Sequence, residues 1–374
     1  MKRISILVWI LCACFVSAAW GQKLTCPATF NWSEFHTPDM KRWNPCETVL
    51  NVNNVGSLQL KWSYTTGSYV YSSPAVVDGV VYVGSGDYNV YALNAKTGKK
   101  LWSYATGSVV NSSPAVVNGV VYVGSNDNNV YALNARTGAL LWSYNIGELD
   151  GASPAVANGV VYIGSWDGVH ALNAGTGALL WSYGAGGAVE SPAVANGIVY
   201  VGTSGANVYA LNATTGAVLW SYATGSFVYS SPAVANGVVY VGSDDQNVYA
   251  LNATTGALLW SYPTRSYVFS SPAVANGVVY VGSSGSWDDV YALNAKTGAL
   301  LWSYGTGGYS SPAVANGVVY VGSYDYNVYA LNATTGAELW SYATGGTVNS
   351  SPAVVNGVVY VGSYDGNVYA FGLN

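Results

Sequence analysis

Charge and sulfur are scarce in this chain. Only 8% of its 374 residues are charged, two are histidine and four are cysteine, and two of those cysteines lie beyond residue 21. The net charge of -5 argues against a nucleic-acid partner, which needs a concentrated basic surface, and favours a cationic or neutral partner. Two thiols with His36 as the only nearby histidine fall short of a tetrahedral ligand set, so we predict no metal site.

Familiar catalytic motifs are also lacking. The chain contains no Gly-x-Ser-x-Gly nucleophile elbow, and His170 takes a strand position that is tyrosine in other copies, without a partner triad. We therefore predict that the protein is not an enzyme and uses no cofactor.

The N-terminus has the pattern of an export signal over residues 1–21. Lys2 and Arg3 precede an apolar stretch and the small-x-small site Ala19-Trp20-Gly21. An uncleaved membrane anchor is a weaker alternative because a span needs about 20 apolar residues. A lipid anchor is another alternative, since residues 11–14 loosely match a lipobox. We expect an exported protein that is periplasmic, at the cell surface or extracellular, with no membrane span after cleavage.

Residues 22–57 form a non-repetitive lead-in to the rest of the chain. Cys26 and Cys46 are the two remaining cysteines, and in an exported segment such a pair is expected to form a disulfide. Trp32 and Trp43 carry too much apolar surface to stay loose. We therefore expect an ordered segment packed on the outside of the main domain.

What the chain has in abundance is one repeated unit. A Ser-Pro-Ala-Val segment recurs every 38 to 40 residues, with its proline at Pro74, Pro114, Pro154, Pro192, Pro232, Pro272, Pro312 and Pro352. Such a period indicates a repeat architecture. Each copy holds four short strand segments joined by Asn-Gly, Asp-containing and Thr-Gly turns, and its apolar runs are continuous, which predicts strands buried on both faces.

Four antiparallel strands per repeat are typical of a propeller blade. The fourth strand carries a tryptophan in every copy, at Trp62, Trp102, Trp142, Trp181, Trp220, Trp260, Trp302 and Trp340. The first tryptophan precedes the first proline, and the chain stops after a third strand. We therefore predict an all-β, eight-bladed propeller over residues 58–374, in which residues 58–64 complete the last blade and remove an open sheet edge.

The repeated string Ala-Leu-Asn-Ala-x-Thr-Gly-x-x-Leu-Trp-Ser-Tyr closely resembles the tryptophan-docking motif of pyrroloquinoline-quinone-like (PQQ-like) propellers. The resemblance implies that the eight tryptophans dock each blade on its neighbour near the Thr-Gly turn. Two subgroups are relevant: quinoprotein alcohol dehydrogenases and BamB-type lipoproteins of outer-membrane assembly. The family often has aspartate where this chain has Asn94, Asn134, Asn173, Asn212, Asn252, Asn294 and Asn332. The adjacent cysteines typical of the dehydrogenases are lacking in the repeats.

Strand alternation places the Asp-containing turns and the connections between blades on one face. That face carries twelve acidic residues against the single base Arg265, whereas the opposite face is mainly basic. A ring of like charge attracts cations or basic partners, but repeated aspartate is also ordinary turn chemistry.

Copies differ most at this acidic face, so we expect any binding site there. Aromatic residues at loop tips often mark contact sites. The candidate binding residues are Tyr71, Trp166, Asp167, Glu190, Tyr229, Arg265, Phe269, Trp287, Asp288, Asp289 and Tyr309.

These observations favour a monomeric, non-catalytic platform at the cell envelope that binds another envelope protein, a peptide or a glycan through this face. A PQQ-dependent alcohol dehydrogenase, implied by the resemblance, is one alternative. A carbohydrate-binding surface protein is the other, because aromatic residues mixed with Asp and Asn suit sugars.

Overall fold

Eight blades, each built on four antiparallel strands, follow one another along the chain and close into a propeller. In blade 7 the short lead-in strand Trp43–Asn44 adds a fifth strand, parallel to Ala313–Ala315. The computed structural model describes Cys26 and residues 30–37, 39–284, 289–306 and 310–374. The predicted signal peptide, residues 1–21, lies outside these residues. The all-β, eight-bladed fold predicted from the repeat is confirmed.

The four strands of a blade, from the channel outward, have similar lengths in every copy. The inner strands are Ala75–Val77, Ala115–Val117, Ala155–Ala157, Ala193–Ala195, Ala233–Ala235, Ala273–Ala275, Ala313–Ala315 and Ala353–Val355. The second strands are Val80–Gly84, Val120–Gly124, Val160–Ser165, Ile198–Thr203, Val238–Gly242, Val278–Gly282, Val318–Gly322 and Val358–Gly362. The third strands are Asn89–Asn94, Asn129–Asn134, Gly168–Asn173, Asn207–Asn212, Asn247–Asn252, Asp289–Asn294, Asn327–Asn332 and Asn367–Gly372.

The outer strands of blades 1 to 7 are Lys100–Ala105, Leu140–Asn145, Leu179–Tyr183, Val218–Ala223, Leu258–Pro263, Leu300–Gly305 and Glu338–Ala343. In blade 8 the outer strand is Gln59–Thr65, which pairs antiparallel with Asn367–Gly372. The predicted closure by the N-terminal strand is therefore confirmed. The remaining elements are the two-residue strand Trp43–Asn44 and the 3-10 helix Val55–Ser57.

The residues of the Asn-Gly turns explain why the first two strands of each blade form a hairpin. Asn118 and Gly119 both have positive φ, at 51° and 76°, which is the backbone of a tight hairpin between the first two strands. The same pair of positive φ values recurs in the other blades, with Asp78 in place of asparagine in blade 1. Each copy of the repeat therefore folds back on itself at the same point.

Hydrophobic clusters lie between blades rather than within them. One cluster joins Tyr82 and Val90 of blade 1 to Val121 and Leu133 of blade 2, all buried. Because each sheet is covered by a neighbour on both sides, its middle strands are apolar on both faces, as the continuous runs predicted.

The docking tryptophans join neighbouring blades at the Thr-Gly turn. The indole of Trp102 donates a 2.9 Å hydrogen bond to the carbonyl oxygen of Ala135 in blade 2. A Cβ added to Gly138, in the same turn, would lie 2.7 Å from the Trp102 ring, so only glycine fits beneath it. Equivalent indole-to-carbonyl bonds start from Trp62, Trp142, Trp181, Trp220, Trp260, Trp302 and Trp340.

The lead-in does not pack on the outside of the propeller as we expected; its course follows the inner strands across the central channel. Its backbone pairs with Val76 of blade 1 and Val116 of blade 2 at Trp32 and Ser33. Further along, the carbonyls of Met40, Lys41 and Arg42 accept the inner-strand N–H groups of Val234, Val274 and Val314. Inner strands are sheet edges with unpaired backbone groups, and the lead-in satisfies them.

The lead-in leaves the channel at the face of the Asn-Gly hairpins. Its carboxylate Glu47 accepts a 3.0 Å bond from the Gly357 N–H in the hairpin of blade 8. Cys26 and Cys46 are joined by a disulfide with a Cα–Cα distance of 5.5 Å. This end of the channel is therefore closed by the chain itself.

Candidate functional site

A ring of serines lines the open end of the channel. The second serine of the Ser-Ser-Pro sequence, and its counterpart Ser153 or Ser191 in blades 3 and 4, accepts the backbone N–H of the equivalent serine in the preceding blade through its hydroxyl oxygen; Ser231 of blade 5 is the exception among the described residues. Seven consecutive links of 2.8 to 3.0 Å run from Ser231 through Ser271, Ser311, Ser351, Ser73, Ser113 and Ser153 to Ser191. This ring fixes the blades around the entrance.

The first serine of the Ser-Ser-Pro sequence forms a different hydrogen bond, within its own blade. In blades 1, 2, 6, 7 and 8 its hydroxyl accepts the N–H of the glycine that ends the second strand. Blade 4 has Glu190 at this position, and blade 3 has Ala152. The glutamate therefore replaces a structural serine at the channel wall.

A cavity of about 740 Å³ occupies the channel above the lead-in. Phe35 of the lead-in contributes to its lining, together with the serine ring and residues of the turns at the open face. The other lining side chains include Tyr71, Asn111, Asp150, Trp166, Glu190, Phe227, Tyr229, Phe269, Asn349 and Tyr364. The volume lies within the range of about 300–1,000 Å³ common for ligand sites.

The structure brings together five of the residues predicted for the binding face. Tyr71, Trp166, Glu190, Tyr229 and Phe269 all line the cavity. Asp167, Arg265 and Asp289 do not line it. Trp287, Asp288 and Tyr309 lie outside the described residues.

The three predicted residues away from the cavity have other surroundings. Asp167 contacts the Ser165 hydroxyl and lies 3.1 Å from the His170 ring, with 74% of its side chain exposed. Arg265 is exposed at a turn with φ 70°, where other copies have glycine. Asp289 begins the third strand of blade 6.

Most turn aspartates are engaged in holding the fold. The carboxylate of Asp127 accepts bonds from the Gly107 N–H at 2.6 Å and the Tyr131 hydroxyl at 2.7 Å. Burial alone would raise the pKa of Asp127, but these bonds and those from Asn129 outweigh it and lower the pKa. Asp87, Asp245 and Asp365 accept the same pair of bonds. The carboxylates of these four aspartates therefore hold the turns in place.

A second, irregular group of carboxyls comprises Glu190 and Asp150, which line the cavity, and Asp244, which does not. Burial, followed by the charge of Asp150, raises the pKa of the Glu190 carboxyl to about 8. Tyr229 faces the same region, and its pKa is raised by burial and by the charges of Asp244 and Glu190. Burial, followed by Asp245, also raises the pKa of Asp244 to about 6. These carboxyls lack cationic partners among the described residues.

Aromatic rings form two groups at the cavity. Phe227, Tyr229 and Phe269 are in sequential contact, with centroid distances of 5.7 and 5.9 Å. Tyr71 meets Tyr364 edge-on at 6.3 Å in blades 1 and 8. Trp166, with 52% of its surface exposed, lies in the turn between the second and third strands of blade 3.

Several buried acceptors at this end of the channel receive no hydrogen bond within the described chain. They are the Oδ1 atoms of Asn111, Asn349, Asn126 and Asp244. Asn111 and Asn349 line the cavity directly. A buried acceptor without a donor is costly, so we expect a donor from outside the chain, water or a ligand, at these positions.

Sequence reasoning missed several lining residues. Phe35 was missed because the lead-in was expected outside the propeller. Phe227 and Tyr364 carried a usable signal, since both are aromatic positions that vary among copies at the acidic face. The serine ring was missed because a serine that occurs in every copy was interpreted as purely structural.

The fold and this cavity define a closed PQQ-like propeller with one end of its channel plugged. The sequence matches the family described as outer membrane protein assembly factor BamB over residues 58–168, 148–228, 225–311 and 286–373. These segments cover most of the chain, so the protein belongs to this family, as the docking motif predicted. In the described part of the chain no helix has the length and apolarity required to cross a membrane.

Known proteins of two kinds are similar to the chain. A segment of 65 residues is 42% identical to a quinoprotein ethanol dehydrogenase of Pseudomonas aeruginosa, covering 16% of this chain and 10% of the enzyme. The crystal structure of BamB from Moraxella catarrhalis superposes with a TM-score of 0.73 at 22% identity, over 84% of this chain and 100% of that one. These matches leave the choice between the two kinds open.

A quinohemoprotein alcohol dehydrogenase from Comamonas testosteroni superposes with a TM-score of 0.79 at 20% identity, over 91% of this chain and 80% of that one. At such identities the superpositions establish the fold alone.

Proposed function

We propose that this protein is an exported, non-catalytic platform that binds another protein at the cell envelope through the open face of its channel. The observation that carries the proposal is the cavity, which is closed by the lead-in at one end and bordered by exposed aromatic side chains at the other. Exposed rings around a concave site suit the anchoring side chains of a protein partner. Membership of the BamB family supports an envelope role.

The cofactor of the quinoprotein relatives does not fit this cavity. Pyrroloquinoline quinone carries several carboxylates, which need basic partners. None of the described residues that line the cavity is lysine, arginine or histidine, whereas Glu190 and Asp150 are acidic. Carboxylates bound here would therefore lose their hydration without gaining a cationic partner, which is costly.

Crosslinking from inside cells tests the platform proposal. A photoreactive phenylalanine analogue at Phe227, an exposed residue of the cavity, should crosslink to one envelope protein, and Trp166→Ala should abolish that product. The same analogue at Lys296, exposed on the opposite face, is the matched control. Equal products from both positions, or none from Phe227, would contradict a partner at the cavity.

Two further measurements address the alternatives. Saturable binding of pyrroloquinoline quinone with Ca²⁺, together with dye-linked alcohol oxidation, would establish a dehydrogenase instead. A sugar ligand is favoured only by the half-exposed Trp166 beside Asp167. If glycans are the ligand, Trp166→Ala should weaken retention on a glycan column, and Trp287→Ala should do the same.

A further inference from the structure

Glu190 differs from the serines at the equivalent position of other blades, both in its side chain and in the bonds it forms. Where other blades place a serine that bonds within the blade, blade 4 places a carboxyl on the cavity wall. Within the described chain no donor reaches this carboxyl, and Asp150 adds like charge nearby. Ionising Glu190 in this setting costs free energy, which is why its pKa is raised, and a bound cation would offset that cost.

The polar atoms of the cavity are acceptors in excess. The buried Oδ1 atoms of Asn111 and Asn349 lack donors, on blades 2 and 8. Together with the carboxyls of Glu190 and Asp150, they give the cavity several oxygen atoms that can accept hydrogen bonds. A ligand that brings several N–H donors and a positive charge would supply hydrogen bonds to these oxygens and a cationic partner to the carboxyls.

The remaining wall suits the apolar part of such a ligand. Phe227, Tyr229 and Phe269 form a contiguous aromatic surface that lines the same cavity as Glu190. Aromatic faces attract ammonium and guanidinium groups, and they also pack against the methylene stem that carries them.

We propose that the cavity binds a basic side chain, lysine or arginine, of a partner polypeptide, with Glu190 as its ionic partner and the aromatic residues as its wall. The proposal deepens the platform function above and rests on it for the source of the side chain. A cavity of about 740 Å³ exceeds the volume of one side chain, so residues flanking the basic one enter with it.

Arg42, a cation of the lead-in that contacts the cavity residue Phe35, does not take this role. Arg42 of the lead-in is fully buried, with its guanidinium 4.5 Å from the centroid of the Phe35 ring. Backbone carbonyls of Phe35, Pro312, Ser311 and Pro352 accept its N–H groups. Arg42 is thus satisfied by the closed end of the channel and leaves Glu190 without a partner.

A peptide titration tests the proposal directly. The purified protein is titrated with acetyl-Gly-Lys-Gly-amide and its arginine counterpart, with tryptophan fluorescence and calorimetry as readouts. We expect saturable binding that weakens at least about 10-fold when norleucine replaces lysine, since an ionic, desolvated contact is lost. Glu190→Gln should weaken binding to a similar extent.

The control is Glu148→Gln, which removes the same charge from an exposed residue of the same face that does not line the cavity. It should change the affinity less than about 2-fold, and both variants should melt as cooperatively as the parent. Equal affinity for the norleucine peptide, no saturable binding, or an unaffected Glu190→Gln variant would overturn the basic-side-chain site. Binding of n-butylammonium as tight as that of the peptide would overturn a polypeptide source.

The two proposals fail separately. Peptide binding that depends on Glu190, with no crosslink from Phe227 in cells, would leave the cation site standing and remove the platform function. A crosslinked envelope partner whose binding is unaffected by Glu190→Gln would support the platform function and remove the cation site.

Discussion

The indole nitrogen of Trp340 lies 3.0 Å from the carbonyl oxygen of Leu58, a residue 282 positions earlier in the chain. In the other blades the tryptophan reaches a carbonyl about 33 residues later, in the blade that follows. In blade 8 the acceptor is instead Leu58, which immediately precedes the outer strand Gln59–Thr65. Two distant parts of the chain therefore meet through the docking tryptophan, which also joins all the other neighbouring blades.

Removing residues 22–64 should make the protein insoluble, because blade 8 loses its outer strand and presents an unpaired edge. Removal of residues 22–57 alone is the matched control, since it keeps Leu58 and the strand Gln59–Thr65. This shorter deletion should stay soluble but melt at a lower temperature, as inner strands lose the lead-in. A soluble, monomeric 22–64 deletion with the parent's melting profile would show that closure does not need this strand.

The Tyr320 hydroxyl of blade 7, next to the closing blade, differs from its counterparts in other blades. In blade 6 the Tyr280 hydroxyl donates to the Ala333 carbonyl at 3.0 Å, whereas the buried Tyr320 hydroxyl of blade 7 has no partner among the described residues. We predict that Tyr280→Phe lowers the free energy of unfolding by about 1 kcal/mol, while Tyr320→Phe leaves it unchanged or raises it. Denaturant unfolding of both variants checks this. Equal losses would mean that the Tyr320 hydroxyl finds a donor or acceptor in solution.

The serine ring gives a second matched pair. The hydroxyl of Ser271 accepts the Ser231 N–H at 3.0 Å, but the Ser231 hydroxyl accepts no bond from the described chain. Ser271→Ala should therefore cost about 1–3 kcal/mol of unfolding free energy, because it strands a buried N–H, and Ser231→Ala should cost only a few tenths. Thermal and urea unfolding measure the difference. A loss of the same size in both would indicate that packing, not the ring of bonds, explains the serine.

The propeller could be predicted from the sequence because its period, turn residues and docking tryptophans are all local features repeated eight times. Even the closure was readable, since Trp62 precedes the first copy and the last copy lacks its outer strand. The path of the lead-in was not readable. It depends on backbone bonds to Val116, Val234 and other residues far along the chain, which no local pattern announces.

The candidate site was predicted only in part, for a related reason. Glu190 and Tyr229 stood out because they break the repeat at the open face. The turn aspartates also stood out, but the turn itself consumes their carboxylates, as with Asp127 and the Gly107 N–H. Whether a polar side chain is available for a ligand depends on its partners, and these are set by neighbouring blades.

The lead-in makes the stability of the protein depend on pH through Glu34. This side chain is 3% exposed, and its carboxylate accepts a 3.2 Å bond from the Val156 N–H of blade 3. Burial is the dominant effect and raises the pKa of Glu34 from 4.5 to about 8, although the bond to Val156 opposes it. Below pH 4.5 the group is protonated in both states, so its contribution to folding is fully present.

As the pH rises from 4.5 to 8, the unfolded chain releases this proton while the folded protein holds it, and that contribution is lost. We predict that Glu34→Gln removes this slope. The unfolding free energy of the parent minus that of the variant should fall, by on the order of a few kcal/mol, between pH 5 and 8. His36, buried with a pKa lowered to about 3 by burial and by Arg42, has the opposite slope, but it acts on both proteins and largely cancels in the difference. The measurement is urea unfolding at several pH values, with Glu148→Gln as the exposed control. A difference that stays constant across this range would show that Glu34 ionises in the folded protein as it does in water.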